Sequence, residues 1–185
     1  MSKKLLALFF ALASTYSISS EISIVSKSTI GSDAVFIDTR DISKCELKTI
    51  ENSKCLPISG LINEQQKISF RDFYWLLSVN NLNHTDKVIL FGNKLDGMKL
   101  LAGMLYLSGH EKIYLLDLNI SEIYKTFPIG KSDKRGIFRT KLYEGTFRSD
   151  LIQPVESITT HSQKNNIVRF VDSIINKHHE TEVRL

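Results

Sequence analysis

The stretch Lys87–Leu116, KVILFGNKLDGMKLLAGMLYLSGHEKIYLL, decides the fold class. Its first apolar run, Val88–Phe91, is continuous rather than alternating, which is the pattern of a strand buried on both faces in a parallel sheet. A turn over Gly92–Gly97 leads into a helix whose apolar residues include Leu100, Leu101, Met104, Leu105 and Leu107, and Gly109 stops it. Lys112 then introduces a second apolar run, Ile113–Leu116. Strand, turn, helix and strand within about thirty residues make a βαβ unit, and the two strands of such a unit are parallel.

Upstream, Ala34–Thr39 (AVFIDT) is another short apolar run, bounded by Gly31-Ser32-Asp33 and by charged residues, as a further parallel strand requires. Ser69-Phe70-Arg71-Asp72 opens a helix with Phe70, Phe73, Tyr74 and Leu77 at helical spacing, Ser69 as cap and Asp72 completing a capping box. It ends near Asn80-Asn81, and Trp75 is read as part of its core face. His84 and His110 flank strands and are expected to be exposed. Residues 131–161 are polar and without clear period, which predicts an extended loop or hairpin. Residues 162–180 carry Ile167, Phe170, Val171, Ile174 and Ile175 on one helical face, with Ser162 available as cap, and predict an amphipathic helix docked on the domain.

At its amino end the chain joins a basic start, MSKK, to a short apolar run, Leu5–Ala13 (LLALFFALA), followed by Ser14, Ser17, Ser19 and Ser20. This is the pattern of a secretory signal peptide over residues 1–20, and the run is well short of the roughly 20 residues of a membrane span. An exported protein, periplasmic or secreted, with no membrane span in its mature chain is the expectation. Of 24 Lys and Arg, Lys3 and Lys4 belong to that leader, leaving 22 basic against 20 acidic residues. The formal +4 therefore gives no ground for a nucleic-acid partner. The two cysteines, Cys45 and Cys55, are too few for a four-thiolate metal site. In an oxidising compartment, at ten positions apart, they favour a disulfide over free thiols. No metal site and no cofactor is expected.

The order of motifs resembles the rhodanese-like family. FIDTRD (Phe36–Asp41) is similar to its opening strand and Asp-x-Arg pattern, and KCLPISGLIN (Lys54–Asn63) to its Gly-His-x-Pro-Gly-Ala pattern, with Cys55 where the family has His. HTDKVILFG and LSGHEKIYLLD resemble the strand that delivers the active-site loop and the helix end and strand that follow it. The resemblance implies an α/β fold over residues 21–130, a parallel sheet flanked by helices on both faces. It also implies an active loop in which backbone N–H groups at a helix start hold a thiolate or an anion.

Here the sequence departs from the family. Counting back from Gly109 puts Gly92 at the nucleophile position, with Asn93 beside it, and Gly97 falls near the substrate-binding Arg. Sulfur transfer in this family runs through a cysteine persulfide, so no residue is assigned a catalytic role. The expectation is a noncatalytic domain that binds a protein or a small anion, of sulfur-oxyanion kind, through Gly92, Asn93, Lys94, Leu95, Asp96 and Gly97. Asp38 and Arg40 are read as a structural ion pair that positions the loop after their strand. The alternative is a sulfurtransferase or thiol redox protein working through Cys45 and Cys55, although their separation lacks the Cys-x-x-Cys geometry.

Overall fold

The computed structural model describes residues 21–26, 30–61, 68–132, 141–151, 157–158 and 161–182. The leader read over 1–20 lies outside the described residues, as do parts of the 131–161 segment. In chain order the elements are β1 (Glu21–Val25), β2 (Val35–Asp38), α1 (Ile42–Leu47), β3 (Thr49–Ile50), β4 (Lys54–Cys55), α2 (Ile58–Leu61), β5 (Ile68–Ser69) and α3 (Phe70–Val79). They continue with β6 (Lys87–Phe91), α4 (Leu95–Leu107), β7 (Lys112–Leu116), α5 (Ile120–Thr126), β8 (Ile129–Gly130), a 3-10 turn at Ser149–Leu151, β9 (Ser157–Ile158) and α6 (His161–Glu182).

Five strands form one sheet in the order β1-β7-β6-β2-β4, and every pairing in it is parallel. Strand β6 lies at its centre, with Val88, Ile89, Leu90 and Phe91 all fully buried. Alternation splits them: Val88 and Leu90 join the core under α3, α4 and α6, whereas Ile89 and Phe91 join a smaller core with Leu116 and Ile123 of α5. Helices therefore cover both faces, and the continuous VILF run follows from having no wet side. The fold class is α/β with a parallel sheet, as the sequence predicts.

Strand β1 is not foreshadowed by any motif upstream of residue 30. Its partner, β7, lies about ninety residues further along, paired from Glu21 with Lys112 to Val25 with Leu116. Helix α3 has the predicted Ser69 cap, whose hydroxyl oxygen accepts from the Asp72 backbone N–H. The reciprocal bond runs from the Ser69 hydroxyl to the Asp72 carboxylate rather than from the Ser69 backbone, so the capping box is only half formed. Trp75 is a correction, for it is 55% exposed. It stands two positions from buried Phe73, about 200° around the helix and so off the apolar stripe. His110 is a second correction, fully buried where exposure was expected.

Helix α6 begins at His161, so Ser162 falls inside its first turn instead of capping it. Ile167, Val171 and Ile175 are buried against α4, and Lys99 pairs with Asp172 at 2.6 Å beside them. The two helices meet at Gly103, where an added Cβ would collide with Ile167 Cγ2. Among the described residues in and just before the 131–161 segment, a few are tied to the fold. Residues 129–130 pair antiparallel with β3, residues 157–158 pair with β5, and Tyr143 is buried.

Cys45, on α1, and Cys55, on β4, form a disulfide with Cα atoms 6.0 Å apart, and both residues are buried. Closing a loop of this length stabilises the fold by about 3 kcal/mol in the chain-entropy model. Replacing both cysteines by Ser should lower the free energy of unfolding by about that amount in a urea titration. A difference within measurement error would show that the bridge carries no stability.

Candidate functional site

The sheet connections diverge between β2 and β6. From β2 the chain moves outward to β4, and from β6 it moves the other way to β7. In open α/β sheets the crevice at the carboxyl ends of the strands flanking such a divergence is where ligands bind. The segments that leave those two ends, 39–41 and 92–97, face each other here across a cleft of about 350 Å³. It is lined by Thr39, Arg40, Asp41, Lys44, Ile58, Ser59, Asn93, Lys94 and Gly97.

Beneath the cleft lies a buried polar network. The Asp38 carboxylate accepts from the Arg40 backbone N–H at 3.0 Å, from Arg40 Nη2 at 2.6 Å and from the Thr49 hydroxyl at 2.7 Å. Arg40 also donates through Nη1 to the Tyr124 hydroxyl at 2.9 Å and through Nη2 to the Lys48 carbonyl at 2.6 Å. Burial disfavours the guanidinium charge, but the bonds and charge of Asp38, with Tyr124, outweigh it and raise the Arg40 pKa above its ordinary value. The guanidinium is thus bonded within the protein, to Asp38, Lys48 and Tyr124, beside the loop after β2.

The six loop residues singled out by sequence separate into different roles. Asn93 and Lys94 are exposed and line the cleft together with Gly97. Leu95 packs against the main core, and Asp96 is exposed in the first turn of α4. Gly92 is buried, and an added Cβ would collide with Thr39 Oγ1, which itself donates to the Phe91 carbonyl at 3.0 Å. Thr39 therefore fills the space that a side chain at position 92 would need.

Helix α4 starts at extended Lys94 with no side-chain cap, and the first intrahelical bond runs from Met98 N to Lys94 O at 3.2 Å. The first turn, whose N–H groups have no side-chain cap, lies at the cleft edge, where Lys94 and Gly97 line it, and Asp96 in the same turn partly offsets the positive end of the helix dipole. Lys44 sits 3.8 Å from Asp41 at an exposed pair, and Ser59 Oγ donates to Asp41 at 3.1 Å. Thr39, Asp41, Lys44, Ile58 and Ser59 were not singled out from the sequence. The available signal was their place after the carboxyl ends of two strands, β2 and β4. Among the described residues no cluster of three or more His, Cys, Asp or Glu side chains is arranged to hold a metal ion, and no helix is long and apolar enough to cross a membrane.

No family model matches the chain, and no curated protein matches it in sequence. Solved structures do. A variant of EanB in complex with ergothioneine superposes with a TM-score of 0.52 at 12% identity, over 68% of this chain and 34% of that one. A persulfide-bearing EanB variant in a tetrahedral intermediate state with ergothioneine superposes with the same score and identity, over 66% of this chain. The chain spans about a third of EanB's length. A Rhodanese_3-like domain from Anabaena is similar at a TM-score of 0.41 and 15% identity, over 56% of this chain and 98% of that domain. At these identities the likeness to EanB establishes a common α/β fold and carries no activity across.

The ion pair beneath the cleft lends itself to a stability test. Asp38→Asn leaves the Arg40 guanidinium buried without its counter-charge, and should lower the unfolding free energy by about 3–5 kcal/mol in denaturant titrations. A loss below about 1 kcal/mol, the range of an exposed pair, would mean that water reaches this network freely.

Proposed function

We propose that the chain is an exported, rhodanese-like domain without sulfurtransferase activity, which uses the cleft between β2 and β6 to bind a small sulfur-oxyanion-like anion or the acidic group of a protein. The observation that carries this reading is a conjunction at one place. The carboxyl-end cleft has Lys44 and Lys94 on its walls and the uncapped start of α4 at its edge, while Gly92, which the sequence resemblance sets at the family's nucleophile position, is closed over by Thr39. Cation side chains and free N–H groups attract an anion, and nothing at Gly92 can form a persulfide. The EanB likeness supports the fold on which the reading rests. The export component rests on the leader pattern, and the disulfide is in keeping with an oxidising compartment.

Sulfur or redox chemistry at Cys45 and Cys55 is the weaker reading. Both residues are buried and joined to each other, whereas a reactive thiol has to be partly exposed in an electropositive setting.

Calorimetric titration of the mature protein with sulfite, thiosulfate and sulfate at low salt should detect binding. Lys44→Glu and Lys94→Glu should each weaken it by roughly tenfold, the loss of one charge-assisted contact. Thiosulfate-to-cyanide transfer should stay at the buffer rate. Anion binding unaffected by both lysine substitutions would remove the cleft from consideration. Transfer above background that survives Cys45→Ser and Cys55→Ser would overturn the noncatalytic reading.

A further inference from the structure

The polar segment 141–148 lies across the other end of the sheet from the cleft. Its anchor, Tyr143, is 6% exposed. The Tyr143 backbone N–H donates to Ser78 Oγ at 2.9 Å, and its ring packs edge-on to Tyr74 and parallel to the His110 imidazole. Its hydroxyl is 3.1 Å from His110 Nδ1. Further along, Arg148 N donates to the Leu107 carbonyl at 2.9 Å, Phe147 packs against Phe70, and the backbone at Thr146 crosses closely over Gly109. Gly109, at φ +81°, admits that crossing only because it has no side chain.

The hydrogen bonds constrain the tautomer of His110. His110 Nε2 lies 2.9 Å from the Asp86 carbonyl, which can only accept, so Nε2 carries the proton. Burial favours the neutral imidazole, and in that form Nδ1 is the acceptor for the Tyr143 hydroxyl. The charged and titratable neighbours come from every element around it. They are His84 and Asp86 on the loop before β6, Glu111 beside His110, Tyr74 on α3, and Tyr143 and Arg148 on the strap. Two buried polar atoms in this neighbourhood, His84 Nδ1 and Ser108 Oγ, have no hydrogen-bond partner, so the seat is not fully satisfied even when closed.

We infer that the 141–148 strap is an acid-released clamp whose catch is the Tyr143 hydroxyl on neutral, buried His110. Docking removes this imidazole from water, while undocking returns it to water, where it binds a proton. Acid therefore favours the open state through proton uptake by His110 alone, against the docking contacts to Ser78, Leu107 and Phe70. Burial, together with the charges of His84 and Arg148 and against the pull of the Asp86 carbonyl, lowers the docked pKa from 6.5 to about 4. The lowered value fixes the sign: docking is fully favoured above about pH 6.5 and is lost progressively as pH falls towards 4. Between pH 7 and pH 4.5 the opening equilibrium should rise roughly 60-fold. Opening also removes two walls, Leu142 and Tyr143, from the cleft of about 570 Å³ that contains Trp75. As the protein's single tryptophan, Trp75 reports on the strap directly.

The test follows amide hydrogen exchange of residues 141–148, corrected for the intrinsic pH dependence of exchange, together with Trp75 fluorescence and far-ultraviolet circular dichroism from pH 7.5 to 4.5. The wild-type strap should lose protection and Trp75 emission should shift while the circular dichroism stays constant. Gln at position 110 can keep both hydrogen bonds but cannot take up a proton, so His110→Gln should hold the strap closed across the range, whereas His84→Gln should still release it. Unchanged strap protection at pH 4.5, release in His110→Gln, loss of release in His84→Gln alone, or opening only together with global unfolding would each overturn the inference. Should His110→Gln fail to fold, nuclear magnetic resonance titration of the wild-type imidazole decides. It should show the Nε2–H tautomer at pH 7 and protonate in step with strap exchange, and protonation without strap exchange would overturn it.

Discussion

A strand with water on neither face constrains everything around it. In β6, Val88 to Phe91 are all fully buried, so both faces of the sheet centre have to be covered, and the chain can return to a parallel neighbour only by a crossover. Helix α4 is that crossover, and α6, from the end of the chain, packs beside it over the same face. Helix α5 covers the opposite face. Polar function is thereby pushed to the ends of the strands, because only there does backbone leave the buried layer. The carboxyl ends of β2 and β6 present the cleft, and the amino ends of β6 and β7 present Asp86 and His110.

The cleft end shows how a polar site is built over an apolar sheet. Asp38 is the last residue of β2 and has no exposed surface, so its charge is tolerated only because Arg40, Thr49 and a backbone N–H all donate to it. Arg40 in turn reaches Lys48 and Tyr124, which connects β2 to the start of β3 and to α5. Such a network fixes the loop that begins at Thr39. The Thr39 side chain then occupies the space beside Gly92, so these two positions act as one packing unit. Introducing a thiol at position 92 would require position 39 to change with it.

The parts legible from sequence were those set by local period and spacing. The VILF and IYLL runs, the stop at Gly109, the Ser69 cap and the apolar face of α6 all depend on residues within a turn or two of each other. The pairing of Cys45 with Cys55 was legible from their ten-residue separation read together with the leader pattern. The features without a local signal are set at long range. Strand β1 is defined by a partner about ninety residues away, and Trp75 is exposed because of its angle from Phe73 rather than its composition. His110 flanks a strand as expected, yet it is buried because Tyr143, 33 positions later, covers it. At the cleft, Lys94 and Asn93 were readable from the loop itself, whereas Lys44 and Ser59 arrive from the connections leaving two neighbouring strands.

The two ends of the sheet are held by cross-links of different kinds, and the difference has physical consequences. Near the cleft, the covalent Cys45–Cys55 bridge joins α1, which carries Lys44, to β4, which leads into α2 and Ser59. That link is indifferent to acid. At the opposite end, the contact between Tyr143 and His110 depends on a group whose charge state changes within the range of mildly acidic surroundings. The ends are separated by the length of β6, five residues or about 16 Å, and by a rigid apolar layer between them. A change of pH can therefore alter the surface around Trp75 while the frame of the cleft stays in place, because among the described residues the two clefts share no lining side chain.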